Sequence, residues 1–286
     1  MTKRQISINR FKVKDNLPKL NSDLIAVEEP LQITLKQGAL SKVFSITLRT
    51  PGDDKELITG LLFSEQIIDR AEDIDSFSNE QVDNKYQANL ITVNLSSQLH
   101  FNPEEITRNH PSYSGCGFCG KTSLKTLELK PIRKPRAISA LLGNPLVKSI
   151  RKLLASQGLF SQTGGSHVAG LIYENKGKLD FGRSVFFEDV GRHNALDKLI
   201  GHQLINNDLG QPGILVLSGR IGFELVQKTI VSGYSTIIAL GAPSSLAIQA
   251  AKQFDIVLIG FAKDDSFNLY TADISLVQNP YVPNEK

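Results

Sequence analysis

The last third of this chain admits few folds. Ile214-Leu215-Val216-Leu217, Thr236–Leu240 and Asp255–Gly260 are short runs, almost wholly apolar and rich in branched residues. Between them, Glu224–Val231 and Leu246–Gln253 carry apolar residues at helical spacing. Strands that are apolar on both sides belong in a sheet covered on both faces, which is how parallel sheets are built. The alternation therefore predicts a parallel β-α-β-α-β core. Crossovers of this kind are right-handed in nearly every case, so the three strand C-termini fall along one edge. The loops Ser218-Gly219-Arg220, Gly241-Ala242-Pro243-Ser244-Ser245 and Phe261-Ala262-Lys263-Asp264-Asp265-Ser266 leave that edge. Ligands of open α/β sheets bind there, and the first two loops feed helix N-termini whose free N–H groups favour phosphate.

Upstream, the first third reads mostly as strands at Asp23–Leu35, Val43–Leu48 and Leu90–Leu95. Thr50-Pro51-Gly52 turns the chain into a helix predicted over Asp54–Ile68, with Asp53 as cap and Glu56 completing a capping box. Leu57, Leu61, Leu62 and Ile68 share one face, expected to pack on neighbouring strands. The polar stretch Asp69–Lys85 reads as an exposed connection. A second helix starts at Asn144-Pro145 and stops at Gly158, with Leu146, Ile150, Leu153 and Leu154 as its apolar stripe. Val168–Tyr173 and Leu179–Phe187 flank a turn and predict a hairpin, after which Asp189 opens a helix running to about Leu204. The expected organisation is a strand-rich subdomain over 1–110, a Cys-bearing loop and basic connector over 111–137, and an α/β domain over 138–286.

Chemistry concentrates in a few blocks. Cys116 and Cys119 are the two cysteines of the chain, set between Gly115, Gly117 and Gly120 and followed by Lys121. A nearby cation lowers a thiol pKa and raises the reactive thiolate fraction, and the glycines let a bulky partner approach. A redox pair of thioredoxin type wants these cysteines just after a strand, and the segment before Ser114 is loop-like. A structural zinc site needs four ligands, and no second Cys pair exists. The deaminase arrangement needs His-x-Glu and Pro-Cys-x-x-Cys; no histidine here has Glu two residues on, and Gly115 precedes Cys116. Two further blocks are dense in polar groups. Thr163-Gly164-Gly165-Ser166-His167 leads into a strand, and Glu188-Asp189-Val190-Gly191-Arg192-His193-Asn194 joins acids, a cation and an imidazole. Each can be read as a local hydrogen-bonding turn or helix cap. Together with Ser218 and Arg220, the residues Gly165, His167, Arg192 and His193 would line a pocket for a polar, anionic ligand.

Charge and hydropathy limit the partners. A net charge of +3 is too small to argue for nucleic acid, although Lys121–Arg136 is locally basic and reads as either a solvated connector or an anion-facing surface. No apolar run reaches the roughly 18 to 20 residues that cross a bilayer. Two cysteines and no apolar block near Met1 lead us to expect a reducing, cytoplasmic setting without membrane association.

These blocks, in this order, resemble the FdhD/NarQ family, the formate dehydrogenase accessory sulfurtransferases. The matching segments are Glu28-Glu29-Pro30-Leu31, Thr50-Pro51-Gly52, Cys116-Gly117-Phe118-Cys119-Gly120, the Thr163 and Glu188 blocks, Ser218-Gly219-Arg220, Ala242-Pro243-Ser244-Ser245 and the stretch around Phe261. Two departures stand out: Gly222 where Ser is expected, and Lys263-Asp264-Asp265 in place of a run with Arg and Gly.

The resemblance implies a cytidine-deaminase-like layered α/β fold without the zinc chemistry, and a homodimer. It further implies a sulfur carrier that takes sulfur from a cysteine desulfurase as a persulfide on Cys116. The acceptor is the metal of Mo-bis(molybdopterin guanine dinucleotide), a bound substrate that GDP is expected to mimic, before insertion into formate dehydrogenase. Cys119 is close enough to attack that persulfide. By the same resemblance Phe261, Ala262, Lys263, Asp264, Asp265 and Ser266 belong to the cofactor-binding surface. A chaperone that holds the cofactor without sulfur transfer, and a nucleotide-linked dithiol oxidoreductase, are the alternative readings.

Overall fold

The structure, a computed structural model, describes residues 4–79, 89–102 and 142–271. They gather into two compact units, and the chain passes between these units more than once. The first unit holds the described residues up to 102 with Gln157–His167 and Glu188–Asn207; the second holds the remainder. In chain order the helices are α1 (Asp54–Ser64), α2 (Asn144–Ala155), α3 (Gly158–Thr163), α4 (Arg192–Ile205), α5 (Phe223–Val231) and α6 (Ser245–Gln253).

The first unit opens with β1 (Gln5–Lys14) and β2 (Leu17–Ala26), an antiparallel hairpin. Lys14 pairs with Leu17, so Asp15 and Asn16 alone make the turn, with φ of 53° and 61°. Two left-handed residues give a two-residue loop the twist its strands need, and Asp and Asn tolerate that region. The single strand expected over Asp23–Leu35 is therefore two, broken at Val27-Glu28. After the break come β3 (Glu29–Gln37), β4 (Leu40–Arg49), β5 (Ile74–Asn79) and β6 (Leu90–Leu95), in the spatial order β4-β3-β6-β5. Alternation along β3 buries Leu31, Ile33 and Leu35 completely, and Phe44, Val93 and Leu95 join that face. Strand β5 lies where an exposed connection was expected. Its sequence, Ile-Asp-Ser-Phe-Ser-Asn, is polar because it forms one edge of the sheet, where only Ile74 and Phe77 are part-buried.

Helix α1 stops at Ser64, and Asp53 occupies its N-cap position in a left-handed conformation without a side-chain cap bond. Leu57, Leu62 and Ile68 are buried as expected, whereas Leu61 is only half-buried. The main neighbour of α1 is α4, not the strands. Two glycines allow this. A Cβ on Gly60 would be driven into the Asp197 carbonyl, and one on Gly201 into the Glu56 carbonyl, so the two backbones lie in direct contact. Ser64 reinforces the pairing by donating to Asp197 Oδ1 at 3.0 Å.

In the second unit, β7 (His167–Asn175), β8 (Lys178–Asp189), β9 (Gly213–Leu217), β10 (Thr236–Ala239), β11 (Val257–Gly260) and β12 (Asn268–Leu269) follow the order β12-β11-β10-β9-β7-β8. Of the residues in β7 and β8, His167, Glu188 and Asp189 belong to the first unit. Strand β10 is parallel to both β9 and β11, as the alternation predicts, while β7 and β12 run antiparallel to their neighbours. Ile214, Leu215, Val216, Ile237, Ile238, Leu258 and Ile259 are fully buried. Helix boundaries differ locally from expectation. Asn144 is the first residue of α2 rather than its cap, Gly158 opens α3 rather than ending α2, and α4 begins at Arg192 rather than Asp189.

The glycine contact generates the first prediction. Gly60→Ala should destabilise the protein by about 3 kcal/mol or more, because backbone on both helices must move apart. Denaturant unfolding measures it; a variant as stable as the parent contradicts the close α1–α4 packing.

Candidate functional site

Most of the Glu188–Asn194 block holds the backbone. Glu188 serves α3: its carboxylate accepts the Phe160 N–H at 2.6 Å and the Leu159 N–H at 3.1 Å. Asp189 and Lys198 form an ion pair at 2.8 Å, and neither side chain has any exposure. Asp189 also accepts from the N–H groups of Thr50 (3.1 Å) and Gly191 (2.8 Å) and from the Asn194 amide (3.2 Å). Lys198 Nζ donates to the carbonyls of Thr50 at 3.0 Å and Glu188 at 3.3 Å. A buried pair is tolerable only with this degree of hydrogen bonding. Asn194 donates as well to the Leu48 carbonyl at 2.8 Å, tying the start of α4 to β4.

Arg192 and His193 stand at the N-terminus of α4. Gly191, the N-cap residue, supplies no side chain to accept from the first turn, so that end of the helix keeps its partial positive charge. His167 belongs to the same neighbourhood. Burial first, then the electrostatic influence of Arg192 and of His193, pushes its pKa below the ordinary value, with Asp189 acting in the opposite direction. Ser166 is buried, and its hydroxyl finds no hydrogen-bond partner among the described residues; the same holds for Arg192 Nε. Buried donors without acceptors call for an external one. Within the first unit this group is rich in donors and positive field, which suits an anion. Gly165 is exposed and gives its N–H to Thr163 Oγ1 at 3.1 Å, next to the left-handed Gly164 that ends α3.

In the second unit the three edge loops are stitched together. Ile221 N donates to the Ala242 carbonyl (2.9 Å), Ser244 N to that of Ile221 (2.9 Å), and Phe261 N to that of Gly241 (3.1 Å). Gly241 is obligatory here, since a Cβ would strike the Gly219 carbonyl and the Arg220 nitrogen. Ser218 Oγ accepts the Val168 N–H at 2.9 Å, so this residue joins β9 to β7, while Arg220 is exposed. Phe261 is exposed with φ 50°, a strained conformation for an aromatic residue. Ala262 is buried, and Lys263, Asp264, Asp265 and Ser266 are exposed in a turn closed by Lys263 N donating to the Ser266 carbonyl at 2.7 Å. Of the two helix N-termini expected to be free, α6 is capped by Ser244, which accepts the Ala247 N–H at 3.2 Å. Helix α5 begins after Gly222 with no side-chain cap.

The predicted residues thus form two sets. Gly165, His167, Arg192 and His193 are in the first unit; Ser218, Arg220 and Phe261–Ser266 are in the second. Cys116 and Cys119 lie outside the described residues. Sequence reasoning did not single out Ser166 within its block and missed the roles of Lys198 and Thr50. The signal for Lys198 was present: a lysine inside Ala195-Leu196-Asp197-Lys198-Leu199-Ile200 can be buried only if paired.

Two predictions follow from these contacts. Lys198→Met leaves Asp189 buried and uncompensated and should cost about 3–5 kcal/mol in denaturant unfolding, with Asp189→Asn added in the same chain restoring part of it. By NMR titration, His167 should titrate below 6.5, and Arg192→Gln should move its midpoint upward. Because the folded value lies below the unfolded one, the stability linked to His167 is present above pH 6.5 and lost as pH falls through the folded value. A midpoint indifferent to Arg192 contradicts the shared neighbourhood.

Residues 26–276 match the model of the FdhD/NarQ family. The sulfur carrier protein FdhD of Sulfurisphaera tokodaii is 36% identical over 262 residues, covering 91% of this chain and 94% of its own. That of Corynebacterium efficiens is 38% identical over 264 residues, covering 88% and 90%. A crystal structure of a candidate formate dehydrogenase accessory protein from Desulfotalea psychrophila matches with a TM-score of 0.68, covering 96% of this chain and 100% of that one. Its sequence identity is 24%, so this likeness speaks for the mixed α/β fold alone. A family match over most of the length, with relatives above one-third identical across nearly all of theirs, means that this chain belongs to the FdhD/NarQ family.

Proposed function

We propose that this protein is a sulfur carrier in the maturation of formate dehydrogenase, passing sulfur from a cysteine desulfurase to the metal of Mo-bis(molybdopterin guanine dinucleotide). The observation that carries the reading is the alignment, over about nine-tenths of the chain, with relatives that bear the name sulfur carrier protein. The Cys116-Gly117-Phe118-Cys119 segment lies inside the family match.

The chemistry is thiol exchange. The Cys116 thiolate attacks the outer sulfur of the desulfurase persulfide; a new S–S bond forms on Cys116, and the donor cysteine leaves as a thiolate. For delivery, the Cys119 thiolate attacks Cys116 Sγ and breaks that bond. The outer sulfur leaves as hydrosulfide toward the metal, and a Cys116–Cys119 disulfide remains for a cellular thiol to reduce. The bound substrate presents phosphates and guanine. In the first unit, Arg192, His167 and Ser166 offer donors to an anion at the uncapped start of α4. Taken by itself, the second unit's loop offers an aromatic face at Phe261, a cation at Lys263 and, at Asp265, an acceptor for a guanine edge. The protein acts as a homodimer in this reading, the commonest form of soluble oligomer. Among the described residues no helix is long and apolar enough to cross a membrane.

Incubation with a cysteine desulfurase and cysteine should add one sulfur atom to the peptide holding Cys116, seen by mass spectrometry. Cys116→Ala should keep GDP binding and lose that adduct together with formate dehydrogenase maturation. No adduct, or one confined to Cys119, overturns the assignment. Retained maturation by Cys116→Ala favours a cofactor chaperone instead.

A further inference from the structure

A loop that is to meet a diphosphate carries two aspartates, Asp264 and Asp265, beside a single lysine. Alone it is net acidic and would repel its ligand. Helix α2, which no part of the reading above uses, corrects this. Arg151 Nη1 donates to the Ala262 carbonyl at 2.8 Å, and its Nε stands 2.9 Å from Asp264 Oδ1 as an ion pair. On the same face of α2, seven residues earlier, the Asn144 amide donates to the Asp265 carbonyl at 2.9 Å. The Asp264 carboxylate is thus paired with a cation, and the backbone at Asp265 is held by an amide. With Arg151 counted, two positive and two negative side chains cancel (Arg151 and Lys263 against Asp264 and Asp265).

The same contacts hold the backbone. Ala262 is fixed at both ends, its N–H on the Ala239 carbonyl at 3.1 Å and its own carbonyl on Arg151. That fixation follows directly on Phe261, whose φ of 50° persists only where surrounding bonds over-determine it. Ser266 Oγ then donates to Asp265 Oδ1 at 3.1 Å, closing the turn.

We infer that Arg151, assisted by Asn144, is the positioning residue of the nucleotide-binding loop: it compensates Asp264 and sets the backbone after Phe261, so that the loop admits a guanine nucleotide diphosphate. This rests on the proposed function, in that Phe261–Ser266 receives the guanine end of the substrate.

The test is calorimetric titration of GDP into the full chain and its variants at low and high salt. Arg151→Met should weaken GDP binding by about three- to fivefold at low salt, the scale of a partly exposed charge pair. The gap should narrow as salt screens it. Asp264→Asn should bind GDP at least as tightly as the parent, and Arg151→Met with Asp264→Asn should recover most of the lost affinity. Arg151→Lys keeps the charge without the planar fork. It should retain the salt-dependent part of the affinity, and it replaces Arg151→Met should that variant melt early. Arg151→Met binding GDP like the parent overturns the inference, as does a double variant no better than Arg151→Met. A parent chain that does not bind GDP sinks the proposed nucleotide site, and this inference with it.

Discussion

Asp189 and Lys198 form an ion pair with no access to water, and the first unit is arranged around keeping it satisfied. Their oxygens and nitrogen reach the Thr50 turn after β4, the end of β8 and the first turn of α4. Removing any of these partners would strand a charge in a low-dielectric interior, a far larger penalty than the loss of one surface bond. The pair therefore locks the Thr50 turn onto the β8–α4 junction, some 140 residues away in sequence. Arg49 repeats the device nearby. It is almost fully buried, donates to Asp54 at 2.8 and 3.1 Å and to Asn89 at 2.9 Å, and lies 3.6 Å from Glu29.

This scaffold explains why some residues in the polar blocks are available for ligand while others are not. Glu188, Asp189 and Asn194 look like site residues in the sequence, yet each spends its polar atoms on backbone N–H or carbonyl groups. Arg192, whose Nε has no hydrogen-bond partner among the described residues, stands between them at an uncapped helix start. The second unit follows the same logic. Ser218 is engaged in holding β9 to β7, and the loop after β11 is set by bonds to Gly241, Ala239 and the side chains of α2. In both units charge is first used to fix the backbone, and the remainder defines the chemistry.

How much of this was legible depended on the range of the forces involved. The parallel β9-β10-β11 core, the β7–β8 hairpin and the approximate helices could be read, because hydrophobic periodicity and turn residues are local signals. The β1–β2 hairpin went unread although Asp15-Asn16 is a turn signal, and β5 was hidden by the polar side chains of an edge strand. The α1–α4 contact was invisible for another reason. Gly60 and Gly201 each look like ordinary helix glycines until the partner backbone is present.

By itself, then, the sequence determined the parallel core, the loops along its edge, the cysteine pair and the family signature, since each rests on residues adjacent in the chain or on a pattern of fixed period. Only the tertiary structure decided which polar residues hold the backbone. Ion pairs and hydrogen bonds between residues far apart, such as Asp189 with Thr50 or Arg151 with Asp264, have no periodic trace. Their geometry exists only once hydrophobic burial has brought the segments together.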